Sequence, residues 1–429
     1  MDGGAIDLFG TTIPISGYFI SFEIAAIAFI LSGFILSNTP IKEEKKSYHL
    51  GRFLKEYFSN GFKEIGRFLK NKYLFFLFLG ALLFLLLPRE RLSLAVPRLL
   101  SLVIAGLCLL ILGTLTAQYS GEEPAVFFVE WMPSVGLNFS IWLDGPALFF
   151  AWIVLGIGFL IFFYAGYYLE PDDSPWRFYG TMVFFMGAML GVVISRNLLL
   201  MLAFWEMTSI SSFILIGHWH ESKSARMGAL KALIVTAVGG LALMVGIGLL
   251  YWLTQKAGLD PIKALEWDYL WANREELMAQ SGPMVKTTLV FFLIGAFTKS
   301  AQFPFQFWLP GAMEAPTPVS AFLHAATMVK AGIYLLGRLY PIFSGMEWWL
   351  IIVGGVGTIT MLIGGFMALV SHDLKQLLAH STVSQLGLLT AYYGFGFEMI
   401  YAEKKLPLDL LLIGSHAFFK GALFMLIGV

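Results

Sequence analysis

Cysteine and charge are what this chain lacks. Its single cysteine, Cys108, lies inside the apolar run 99–112. One thiol closes no internal disulfide and holds no thiolate metal cluster, so Cys108 reads as a packing residue. Charged residues make up 13% of the 429-residue chain and hydrophobic residues 58%, whereas soluble domains carry about 25% and about 45–50%. A water-soluble core has no room for so much apolar surface, so lipid is the solvent. Neither charge sign is in excess, with 28 basic against 28 acidic residues; the balance points to no nucleic acid and no acidic soluble partner. A basic n-region is missing as well. Asp2 stands where a secretory leader carries lysine or arginine, and the first apolar run is too long for one. Facing histidine pairs for haem are also absent, since His218 and His220 fall together at a helix end. No cofactor and no metal site is expected.

What is present is a succession of long apolar runs. Crossing the hydrocarbon takes about 20 apolar residues. About twelve stretches qualify: 15–37, 73–88, 97–118, 146–168, 177–195, 197–217, 228–252, 287–308, 320–338, 347–370, 376–394 and 407–429. Their length and lack of period-two alternation predict helices, not a barrel, and so an all-α polytopic membrane protein. The 44 glycines suit helices packed closely in lipid. Residues 41–72 hold nine Lys/Arg against four acids, with Phe53, Leu54, Phe58, Phe62, Ile65, Phe68 and Leu69 at helical spacing. This reads as a basic amphipathic segment lying along a membrane surface. The stretch 253–286 is a mixed-charge loop with no chemical signature. Orientation stays open: the positive-inside rule wants 41–72 in the cytoplasm and the base-free, acidic 119–143 outside, but two spans at 73–88 and 97–118 would put both on one side.

Ionisable residues inside such runs cost about 2.5–3.5 kcal/mol each on insertion scales and are functional by default. Glu206 lies mid-run in 198–212, Lys231 near the start of the next run, and Lys299 within 291–302. His324 and Lys330 share the following helix, and His416 and Lys420 the last. A lysine near a helix end, as Lys231 and Lys330 are, can simply reach the interface, and a buried histidine can be a satisfied core residue. Glu206 and Lys299 lie far from the ends of their apolar runs. Pro304, five residues after Lys299, removes a backbone donor and clashes with the preceding turn, which predicts a discontinuous helix there. Broken helices near the midplane are where transporters place ion sites. A row of buried Glu, Lys and His groups spaced to sense one another's charge is a proton relay.

Several motifs carry a family resemblance: FMGAMLGVV at 185–193, FWEMTS at 204–209, GAFTKSAQFPF at 295–305, EAPTPVSAFLHAATMVKAG at 314–332, STVSQLG at 381–387 and HAFFKGALFM at 416–425. At these the sequence resembles the large subunits of Mrp-type multisubunit Na⁺/H⁺ antiporters. More distantly it is similar to the antiporter-like subunits of respiratory complex I and of energy-converting membrane hydrogenases. The resemblance runs from about residue 73 to the end. It implies an antiporter-like fold with two inverted repeats, each with one broken helix. By resemblance, Glu206 is the family's fifth-helix glutamate, paired with Lys231, and Lys299 the central lysine of the broken helix. His324 and Lys330 continue the path, and His416 and Lys420 match the eleventh helix. Three departures stand out: residues 1–72 add a helix and the basic segment, Arg196 replaces a common acid, and the chain stops at Val429, leaving the second repeat incomplete.

Residues 73–429 are thus expected to form an antiporter-like transmembrane domain. Its expected role is a proton- and/or sodium-translocating subunit, multi-pass in the cell membrane, among other membrane subunits. The complex is either a stand-alone antiporter or redox-driven; the chain itself reads as a transporter. The alternative is a structural, non-conducting subunit needed for assembly.

Overall fold

The computed structural model describes residues 5–8, 11–14, 95–119, 124–132, 135–170, 174–279, 282–396 and 408–428. The expected helices at 15–37 and 73–88 and the basic segment at 41–72 lie outside these residues. The chain divides into two compact units. The smaller contributes the antiparallel hairpin of β1 (Ala5–Leu8) and β2 (Thr11–Pro14), with Ala5 opposite Pro14.

The larger unit is a bundle of long helices. In chain order it comprises α1 (Ala95–Gln118), the two-stranded sheet of β3 (Ala125–Met132) and β4 (Leu137–Leu143), α2 (Gly145–Tyr168), α3 (Pro175–Ile194), α4 (Leu198–Ile216), α5 (Lys223–Lys256), α6 (Pro283–Lys299), α7 (Thr317–Phe343), α8 (Glu347–Leu369), α9 (Leu374–Gly394) and α10 (Leu408–Ile427). Eight of these are long and apolar enough to cross a membrane. The other two are α6, cut to 17 residues by its break, and α9, whose first half carries Lys375, Gln376, His380, Ser381, Thr382 and Ser384. The chain is a multi-pass membrane protein.

Helix starts follow local chemistry. Asp144 caps α2, accepting from Ala147 N with Pro146 in the first turn, and Asn197 caps α4 through Leu199 N and Leu200 N. Such caps satisfy amides that the helix leaves unpaired. The stretch expected as a plain loop folds into short helices at Lys263–Leu265, Trp267–Ala272 and Arg274–Ala279. It is anchored by the backbone bridge of Glu266 to Asn197, while Ser195 bridges to Ile141 of β4. Glycines let α8 and α9 meet backbone to backbone: a Cβ at Gly357 would strike Ala391 N, and one at Gly387 would strike Met361 N.

Two helices break. α6 ends at Lys299, then Ala301 takes a positive φ of 47°, Phe303–Pro304 is cis, and helix resumes only at Trp308–Gly311. This is the discontinuity that Pro304 predicts. The freed backbone finds partners: Phe303 N donates to Thr360 Oγ1 of α8 at 2.9 Å, and Trp308 Nε1 to the carbonyl of Thr298 at 2.9 Å. The second break lies within α7, which turns π-helical over Ala321–Ala326 and loses helical geometry at Thr327 (φ −127°, ψ −80°).

Candidate functional site

Both breaks carry buried cations. Lys299, the last residue of α6, is fully buried. Its ammonium donates to Thr208 Oγ1 at 2.7 Å and Ser209 Oγ at 2.8 Å, and lies 5.5 Å from the Trp205 ring. Both hydroxyls donate to the carbonyl of Trp205, which turns their lone pairs to the lysine. Glu206 shares this stretch of α4. Its carboxylate fits only because α5 presents Gly240, where a Cβ would collide with Oε1. That oxygen is buried without a hydrogen-bond partner among the described residues. The Lys299 ammonium thus rests on Thr208 and Ser209, two and three residues past Glu206 on α4, without a direct ion pair to the carboxylate.

The next groups follow through the two breaks. Trp308, whose indole holds the turn before Lys299, packs edge-on against the buried His324 ring, centroids 5.9 Å apart. His324 sits in the π segment, and neither ring nitrogen has a hydrogen-bond partner among the described residues. Lys330, fully buried six residues on, gives its ammonium to the carbonyl of Ala325 at the α7 break and faces His416 Nδ1 at 3.1 Å. Nε2 of His416 is buried without a partner among the described residues. Lys420, one turn further along α10, donates to Ser381 Oγ of α9 at 2.8 Å.

Lys231 is the exception. The expected partnership of Glu206 with Lys231 is not the one the structure makes; the lysine held on the Glu206 helix is Lys299. Lys231 is exposed, in a stripe with Met227, Ile234, Val238 and Leu241. The physical reason is helical phase. Gly240 faces Glu206, and nine residues earlier on α5 lies about half a turn round and roughly 13 Å along the axis.

Arg196 forms a second, different arrangement at the bundle end. It donates to Asp268 Oδ1 and Oδ2 at 2.8 and 2.6 Å and lies 3.1 Å from Glu266 Oε2. The hydrogen bond to Asp268 raises the guanidinium pKa, with burial opposing and both carboxylates adding. Burial works to raise the Asp268 pKa, but Arg196's hydrogen bond and charge outweigh it and hold the carboxyl below its usual range. Burial raises Glu266. Sequence reasoning gave this loop no signature, although its acids were visible.

It also missed Arg338. This buried guanidinium donates to Asp144 Oδ2 and Oδ1 at 2.5 and 2.9 Å and to the Tyr334 hydroxyl at 2.7 Å. It lies beside the packed Trp142 and Trp271 rings, 4.9 and 5.5 Å from their centroids. The available signal was an arginine closing the apolar run 320–338. Thr208, Ser209 and Ser381 lay within motifs already singled out but had no assigned role. Among the described residues no three His, Cys, Asp or Glu side chains gather as a metal site.

Comparison with known proteins adds the following. Residues 195–429 match the family described as NADH:quinone oxidoreductase/Mrp antiporter, transmembrane, and residues 131–179 match the N-terminus of NADH-ubiquinone oxidoreductase (complex I) chain 5. The chain is 43% identical over 326 residues to the A/B subunit of a probable K⁺/H⁺ antiporter of Rhizobium meliloti, covering 76% of this chain and 31% of that protein. It is 45% identical over 309 residues to the A1 subunit of a Na⁺/H⁺ antiporter of Staphylococcus aureus, covering 70% and 37%. Thus it spans about a third of the length of these relatives. A chain of the Mrp complex from Dietzia sp. superposes with a TM-score of 0.64 at 34% identity, over 79% of this chain and 37% of that one. A chain of a membrane-bound sulfane sulfur reductase, an archaeal respiratory membrane complex, shares the fold, with a TM-score of 0.65 at 21% identity over 83% and 55%.

Proposed function

The chain belongs to the NADH:quinone oxidoreductase/Mrp antiporter transmembrane family, and from that premise we propose that it is a proton- and cation-translocating subunit of a multisubunit complex in the cell membrane. Its partners are other membrane subunits, and the ions are H⁺ with Na⁺ or K⁺. The names of its relatives support that choice.

The observation that carries this reading is Lys299: fully buried at the end of a broken helix, held by two neutral hydroxyls, with Glu206 sensing its charge. A lysine clasped by a carboxylate is fixed as an ion pair. One held by hydroxyls can give up its proton and stay in place, because the neutral amine keeps N–H groups to donate to the same hydroxyl oxygens. The charge of Glu206 then tunes that exchange. Two unit charges about 8 Å apart at an effective dielectric of 20 interact by roughly 2 kcal/mol, or about 1.5 pKa units. Moving one charge therefore loads or unloads its neighbour. Through His324 the same logic reaches Lys330, His416 and Lys420, which sense one another.

The test uses the whole complex in sealed vesicles, reading internal pH as Na⁺ or K⁺ is added. Lys299→Ala is expected to lower cation-driven proton movement at least tenfold while the complex still assembles. Near-normal transport would overturn this reading and leave a structural, non-conducting subunit.

A further inference from the structure

One buried carboxylate lies outside the relay just described. Asp409, in the first turn of α10, is 7% exposed, and its Oδ2 accepts from the Tyr393 hydroxyl at 2.9 Å. Helices α9 and α10 run antiparallel in register. Tyr393 meets Asp409 at one end and Ser381 meets Lys420 further in, twelve residues of α9 spanning eleven of α10. On α10, residues 409, 416 and 420 fall within about 40° of one another at roughly 100° per residue. Asp409, His416 and Lys420 therefore share one buried strip, with Ile413 also buried between the first two. The outer side, with Leu411, Phe418 and Leu426, is exposed and apolar.

An acid in a first turn complements the helix dipole, but it does so without leaving water. Burying it adds a desolvation cost, which among the described residues the Tyr393 hydroxyl offsets at Oδ2. Its place is at the end of the bundle: α9 ends at Gly394, one residue past Tyr393, and Asp409 is the second residue of α10. Asp409 lies about 10 Å along the axis from His416, too far for direct transfer, so a proton passing between them needs intervening water. His416 offers Nε2, the nitrogen without a partner among the described residues.

We propose that Asp409 is the port carboxylate of the relay, passing protons between the aqueous face where α9 ends and α10 begins and the His416–Lys330–Lys420 cluster. The carboxylate takes a proton from water and releases it to the intervening water. Nε2 of His416 accepts it, and Nδ1 gives one up to a neutral Lys330; export runs in reverse. Ile413, on the same strip, marks the narrow point that water must pass. The inference rests on the relay reading above and names a residue that reading does not use.

The experiment reconstitutes the whole complex with Asp409→Asn, Asp409→Glu or Lys299→Ala and measures transport per assembled complex across pH. Asp409→Asn is expected to slow transport tenfold or more at neutral pH. Asp409→Glu is expected to keep at least a third of the rate, with its pH profile displaced upward as the weaker acid requires. If Lys299→Ala is inactive while Asp409→Asn runs at full rate, the port assignment fails and the relay stands. If Lys299→Ala is fully active, the relay reading itself fails. Loss of assembly in Asp409→Asn with a normal rate per remaining complex makes the residue structural and overturns the port. Should Asp409→Asn not assemble at all, Tyr393→Phe decides. A displaced pH profile supports the port, and an unchanged one overturns it.

Discussion

The middle of this bundle and its end hold their cations in opposite ways. In the middle, Lys299 rests on Thr208 and Ser209, Lys420 on Ser381, and Lys330 on a backbone carbonyl and His416. At the end, Arg338 and Arg196 grip Asp144 and Asp268 with two hydrogen bonds each. The difference is one of chemistry as well as strength. Guanidinium keeps its proton at any accessible pH and its planar fork matches a carboxylate, whereas a buried ammonium shifts its pKa readily. The end is built from charges that stay, joining α2, α7 and the 258–279 loop. The middle holds its cations on hydroxyls, a backbone carbonyl and an imidazole, next to two broken helices, which is what the proposed relay needs.

The largest effect that would sharpen this contrast is at the end. Arg338→Ala strands the half-buried Asp144, and breaking a buried pair costs about 3–5 kcal/mol. The purified complex is expected to lose most of its thermal stability or yield, yet whatever assembles is expected to transport normally per complex. Selective loss of transport at full stability would place Arg338 in the relay instead. Next comes Glu206→Gln, which keeps shape and removes charge. Transport in vesicles is expected to fall about tenfold, equivalent to about 1.4 kcal/mol in the barrier, with assembly intact; a near-normal rate reassigns Glu206 to packing.

Smaller still is Lys231→Gln. From its exposed stripe on α5 it is expected to change transport less than twofold, and a tenfold loss in the same assay would return it to the relay. The smallest effect is the pH response of the Arg196 clamp. The folded-state pKa of Asp268 is lowered, so its stabilising contribution is present above the unfolded value of about 3.9 and is lost as pH falls through the lower folded value. Hydrogen exchange of residues 258–279 is expected to quicken only below about pH 4. Quickening centred near neutrality would point to another group.

Much of the middle was legible in the sequence, because a charge inside an apolar run is conspicuous and Pro304 announces its own break. Glu206, Lys299, His324, Lys330, His416 and Lys420 all lie buried or nearly so where the runs placed them. What escaped depends on geometry that no local pattern encodes. Lys231 faces outward because Gly240 sets the phase of α5 against α4. The π segment at Ala321–Ala326 is a change in backbone bonding within an unbroken apolar run. Asp144 and Arg338 meet across 194 residues of sequence. Thr208 and Ser209 looked like ordinary helix residues until a lysine from another helix reached them.

The central claim is that Lys299 works by changing its protonation, not by lending a fixed charge. Lys299→Arg keeps the charge and the hydrogen-bonding reach while removing the ability to release a proton. Measured as cation-driven proton movement by the intact complex in sealed vesicles, the arginine variant is predicted to be as inactive as Lys299→Ala, with normal assembly. Transport by Lys299→Arg at the normal rate would contradict the account and leave Lys299 a fixed charge.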